Sequence, residues 1–137
     1  MKSDVLFGII IAILGLGVIA WLVIGSFKQP TLEFHQLAGS CNRGDEHQAS
    51  ITPGASEIQF TGVIITPIPC VTLEATLQHK RSALIVAIRS TVLDKPCPDC
   101  IGRVGYSGRI SKLLPGVYTL QILHNGKVVA SQEVRVQ

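Results

Sequence analysis

Charge is scarce in this chain: Asp, Glu, Lys and Arg make up 15% of its 137 residues, against 47% apolar side chains. Aromatics are scarcer still, at 5%, and stand at core-phase positions. A nucleic-acid interface needs dense basic residues and stacking aromatics on one surface, so that class is set aside. No Gly-x-Ser-x-Gly elbow is present; the "YSG" of Tyr106–Gly108 lies in a strand pattern rather than in a turn into a helix. No glycine-rich loop precedes a helix, which excludes phosphate cradling of the nucleotide-binding type. The nine acids form no local pair for acid–base work, although a fold is free to assemble Glu74, Asp94 and Asp99. The chain is read as non-catalytic and without a cofactor.

The shortage of charge has a local cause. From Val5 to Phe27, "VLFGIIIAILGLGVIAWLVIGSF" runs for about 23 residues without one charge, enough for a helix of roughly 35 Å against a hydrocarbon core of about 30 Å. Residues 1–4 are then a short tail and 5–27 a transmembrane helix in contact with lipid. A cleaved signal peptide has a shorter apolar region, about 7 to 15 residues, and cutting after Ala20 would expose "WLVIGSF". Trp21 suits an interfacial aromatic. A pilin-type leader ranks lower, because Asp4 directly precedes the run. Lys2 and the terminal amine, offset by Asp4, barely outweigh Lys28, so the positive-inside rule alone does not orient the span. Four cysteines in so small a domain suit an oxidising compartment, which puts the C-terminal domain outside the cytoplasmic membrane.

Residues 28–56 read as a linker and loop-rich segment, punctuated by Pro30, Pro53 and glycines at 39, 44 and 54, with "TLEFHQLA" as its one possible strand. The tripeptide "RGD" at Arg43–Asp45 matches the integrin-binding motif, but turn chemistry explains it equally.

From residue 57 to 137 the pattern is that of successive strands. "EIQFTGVIIT" sets Ile58, Phe60, Gly62 and Ile64 on one face. "VTLEATLQ" alternates Val71, Leu73, Ala75 and Leu77 against Thr72, Glu74, Thr76 and Gln78. "HKRS" turns into "ALIVAIRSTVL", a β-branched run suited to a sheet interior. "IGRVGYSGRI" opposes Val104, Tyr106 and Ile110 to Arg103, Ser107 and Arg109, and its glycines at 102, 105 and 108 penalise helix by roughly 1 kcal/mol each. "LLPGVYTLQIL" predicts burial of Tyr118, Leu120 and Ile122, and Asn125-Gly126 predicts a two-residue hairpin into "VVASQEVRV". Six or seven short strands make a sandwich.

"LDKPCPDCIG", Leu93–Gly102, holds Cys97 and Cys100 two positions apart. As a redox dithiol it lacks the helix whose N-terminus would activate Cys97. As half of a zinc site it lacks a second knuckle, since Cys41 and Cys70 stand far apart. His35, His47, His79 and His124 are scattered and read as solvated loop or edge residues. Structural disulfides account for the even number, the compartment and the small core together. Cys97 and Cys100 on one short loop reach different partners, which leaves Cys70–Cys97 with Cys41–Cys100, or the swap. Lys80, Arg81, Lys95, Arg103 and Arg109 would form a basic rim if the fold brought them together, the plainer reading being a solvated polar face.

The segments "TGVIITPIPCVTLEATL", "CPDCIGRVGYSGRI" and "LPGVYTLQILHNGK" resemble a pattern in small secreted or membrane-anchored β-domain proteins, mostly archaeal, that have no assigned function. The resemblance covers roughly Gly62 to Lys127. In that pattern a cysteine after Thr-Pro-x-Pro and a second one ahead of a Tyr-bearing strand recur. The resemblance therefore implies a Cys70–Cys97 bridge and leaves Cys41 with Cys100. The closing "LPGVYTLQILHNGKVVASQEVRV" is similar to the end of immunoglobulin-like and transthyretin-like modules. The expected architecture is a mainly β, immunoglobulin-like or transthyretin-like antiparallel β-sandwich behind one N-terminal transmembrane helix. The expected role is an accessory or interaction subunit of a membrane or cell-envelope assembly, with a protein partner. The alternatives are a thiol-redox or metal-handling module using Cys97 and Cys100, with Cys41 and Cys70 completing a metal tetrad, and a pilin-like filament subunit.

Overall fold

A computed structural model describes residues 29–137 and position 13; the uncharged run at 5–27, and with it the transmembrane and filament readings, lies outside the described residues. The described chain forms nine strands: β1 (Thr31–Gln36), β2 (Ser40–Cys41), β3 (Gln48–Pro53), β4 (Ile58–Thr66), β5 (Val71–Lys80), β6 (Ala83–Val92), β7 (Gly102–Ser111), β8 (Gly116–His124) and β9 (Lys127–Val136). They make two sheets, one ordered β1-β7-β4-β3 with β2 also on β7, the other ordered β5-β6-β8-β9. One core lies between the sheets. Ile58, Phe60, Ile64, Val104, Tyr106 and Ile110 come from the first; Val71, Leu73, Leu84, Val86, Ile88, Leu120, Ile122, Val134 and Val136 come from the second.

The period-2 patterns place these side chains. Val71 and Leu73 are buried on β5, where Glu74 faces out, and Ile58, Phe60 and Ile64 on β4, where Gln59 and Thr61 face out. The β-branched run of β6 sits inside its sheet, between β5 and β8. Asn125 (φ 48°) and Gly126 (φ 86°) close the β8–β9 hairpin in the left-handed region that a two-residue turn requires. The Asn125 side chain accepts from the Ser90 backbone N–H at 2.9 Å, which pins that turn onto the end of β6.

Two expectations need correction. The segment 28–56 is more than a linker with one strand: β1, β2 and β3 all belong to the first sheet. β3 was hidden because it is a short, polar edge strand that ends on Pro53, where the missing N–H costs no ladder bond. Nor is the sandwich wholly antiparallel, since β6 and β8 pair in parallel. The chain leaves the second sheet after β6, runs back through β7 in the first, and returns as β8 in its original direction, which is the long crossover that parallel pairing demands.

Along one seam, where β1 faces β5, the edges of the two sheets are joined by a side chain. Gln36 Nε2 donates to the Val71 carbonyl at 2.8 Å, and its Oε1 accepts from the Leu73 N–H at 2.7 Å. A single amide thus stands in for a neighbouring strand and satisfies groups that an edge would leave open. Gln36→Ala is expected to lower the unfolding free energy by about 1–2 kcal/mol, read from the urea midpoint, because both backbone groups are part-buried and lose their partner together.

Candidate functional site

Short connections fix which loops share an end of the sandwich. β4 passes to β5 through residues 67–70, and β6 passes to β7 through 93–101, so both crossovers between sheets lie at the end where β7 begins. The loop between β1 and β3, interrupted by β2, lies there too, because Cys41 pairs with Gly102. Two disulfides tie these three loops together: Cys70–Cys97 joins the two crossovers, and Cys41–Cys100 joins β2 to the second of them. Cys97 and Cys100 therefore bond to different partners, and no described cysteine is free. Backbone bonds add to the stapling, with the Asn42 N–H on the Ile101 carbonyl at 2.7 Å and the Leu93 N–H on the Cys70 carbonyl at 3.0 Å.

The stapled loops and the adjoining end of β6 carry apolar side chains into solvent. Ile101 is 60% exposed, Leu37 58% and Val92 57%. Leu37 lies across Gly105, where a Cβ would press on its side chain, so its position on the outer face of the first sheet depends on that glycine. Beside it runs a shallow trough of about 390 Å³, lined by Gln48, Ser50, Thr61, Arg103 and Ser107. The "RGD" tripeptide belongs to this end as turn chemistry: Asn42 Oδ1 accepts from the Asp45 N–H at 2.9 Å, Gly44 has φ 108°, and the Asp45 carboxylate is paired with Arg103.

Beneath the loops the core contains a chain of polar groups that sequence reasoning missed. His124, 2% exposed, is the last residue of β8. Tyr106 Oη lies 2.6 Å from His124 Nε2, and His47 Nδ1 lies 3.1 Å from His124 Nδ1. The Ile65 N–H donates to the same His47 Nδ1, at 3.3 Å. One proton arrangement fits these contacts: Tyr106 donates to Nε2 of a neutral His124, whose Nδ1–H shares the His47 Nδ1 lone pair with the Ile65 N–H. Gly62 makes room for it, since a Cβ there would meet the Tyr106 hydroxyl and the Gln48 carbonyl. Burial lowers the His124 pKa from 6.5 to about 4, with the charge of His47 adding to the effect, and burial pushes the Tyr106 phenol well above its ordinary value. A weaker base beside a weaker acid is poorly matched to proton transfer near neutrality. The arrangement is a neutral tie between sheets. Its signal was in the sequence: His124 continues the inward phase of Leu120 and Ile122.

Other candidates are dispersed. Glu74 is exposed on β5 opposite Arg89, while Asp94 and Asp99 lie on the stapled loop. Among the described residues no three of His, Cys, Asp and Glu gather as a cation site. Tyr118, expected in the core, is half-buried and donates from its hydroxyl to the Leu114 carbonyl at 2.9 Å. The five basic residues do not share a face. Arg103 and Arg109 lie on β7, against Asp45 and Glu57; Lys80 and Arg81 are at the β5–β6 turn; Lys95 is on the stapled loop at the opposite end. No family, curated protein or solved structure matches the chain.

Proposed function

We propose that this chain is a single-pass membrane protein whose extracytoplasmic, immunoglobulin-like or transthyretin-like sandwich serves as an accessory or interaction subunit of a membrane or envelope assembly, without catalysis. The observation that carries the reading is the stapled end: two bridges fix three loops, and Leu37 and Ile101 on them and Val92 at the adjoining end of β6 face solvent. Rigid loops displaying apolar anchors meet a partner with little ordering cost. The uncharged run before the sandwich supports the anchor, and the four cysteines support the compartment.

A photo-crosslinking residue placed at Ile101 in the full chain, in intact membranes, tests this. A discrete adduct from Ile101, absent when the same group is placed at Val128, is the expected result. Equal labelling from both sites, or none from Ile101, would overturn the reading.

A further inference from the structure

The opposite end of the sandwich has a different chemistry, and where the described chain begins gives it a neighbour. β1 starts at Thr31, paired with Ser111 at the end of β7, so the chain enters the domain at the end away from the disulfides. Residues 28–30 are all that separate this strand from the uncharged run, and three residues reach at most about 11 Å. That is close to one Debye length at physiological salt, about 8 Å.

The loops at this end are basic and tipped with leucine. Lys80 and Arg81 form the β5–β6 turn, Lys112 and Leu114 the β7–β8 loop, and Arg135 stands on β9 opposite Val117. All four of these cations are exposed, Leu114 is 63% exposed and Val117 40%. Glu57, the acid in the loops here, is engaged by Arg109 and by the Gln59 amide; Glu33 and Glu133 are set back along their strands. Asp45, Glu46, Asp94 and Asp99 all lie at the stapled end. A ten-residue strand separates the ends by roughly 33 Å, several Debye lengths.

We propose that this end rests on the anchoring bilayer, with Arg81, Lys112 and Arg135 on anionic lipid phosphates and Leu114 in the headgroup layer, so that the stapled loops are held outward. The inference depends on the membrane-anchor reading. Each cation held near such a surface contributes about fivefold to the docked population.

The test uses the full chain in phosphatidylcholine vesicles, with and without phosphatidylglycerol, read by flotation and by hydrogen exchange. The expected result is that the chain floats with both lipids. Amide exchange at 81–83 and 112–117 then slows several-fold in anionic vesicles only, while 93–101 is unchanged. High salt, or the pair R81E and K112E, abolishes the slowing. Flotation with exchange independent of lipid charge, or slowed equally at both ends, overturns the docking alone. A chain that does not float overturns the anchor, and the docking with it.

Discussion

Replacing Cys70 and Cys97 with serine is expected to lower the unfolding free energy by about 3 kcal/mol, and replacing Cys41 and Cys100 by about 3.7 kcal/mol, on a chain-entropy estimate in which the other bridge stays closed. The bridges span 27 and 59 positions, and the longer loop costs the unfolded chain more conformations. Taken alone the bridges would be worth about 3.5 and 4.3 kcal/mol, but together they do not add fully. The shorter loop lies inside the longer one, so with Cys70–Cys97 in place the outer bridge closes an effective loop of only about 34 residues, worth about 3.7 kcal/mol. Removing both is therefore expected to cost about 7 kcal/mol, as much as the whole stability of a domain near the lower part of the typical range of about 5–15 kcal/mol. Urea unfolding of the two pairwise variants and of the quadruple variant measures these terms. A quadruple variant with the parent's midpoint would contradict them.

Acid is expected to remove a further contribution of about 3 kcal/mol through His124 alone. In the folded chain burial, reinforced by His47, keeps this ring neutral until about pH 4, whereas in the unfolded chain it takes a proton near pH 6.5. Between those values the unfolded state carries the additional proton. Stability is therefore complete above about pH 6.5, falls as the pH drops through the window, and has lost this contribution by about pH 4. Protonated His124 would also lose its hydrogen bond from Tyr106, because Nε2 ceases to accept. Carboxylates titrate near the lower limit, so the informative quantity is the difference between the parent and His124→Gln across pH 4–7. The variant's urea midpoint is expected to show a shallower decline. Parallel declines would mean that His124 is not the group responsible.

How much of this was legible in the sequence depended on whether a feature was local. β5 could be read directly, since Val71 and Leu73 face the core and Glu74 faces out, as strict alternation requires. The β8–β9 turn followed from Asn125-Gly126, whose positive φ angles few other pairs tolerate. The parallel union of β6 with β8 was not legible, because it depends on a third strand in the other sheet and leaves no trace in either strand's own pattern. β3 was missed because an exposed edge strand can be mostly polar, and "QASITP" has only Ala49 and Ile51 on its inward face to announce it. At the stapled end, the separate use of Cys97 and Cys100 could be argued from their spacing, but the grouping of the loops required the topology. His47 and His124 are far apart in sequence, and only the packing of the sheets makes them neighbours.

The place of Cys41 has a mechanical consequence. Tension applied between Thr31 and the far loops would load the β1–β7 ladder lengthwise, in shear, with β1 the first strand to give. Unravelling can proceed only from Thr31 to Cys41, because beyond that residue a sulfur–sulfur bond carries the load straight to Cys100. The ten steps from Thr31 to Cys41 have a contour of about 35 Å and already run roughly 30 Å along β7, from the level of Ser111 to that of Gly102, so they pay out only a few ångströms. A tether built this way yields by a fixed length and then stops, with the enclosed strands shielded from the pull.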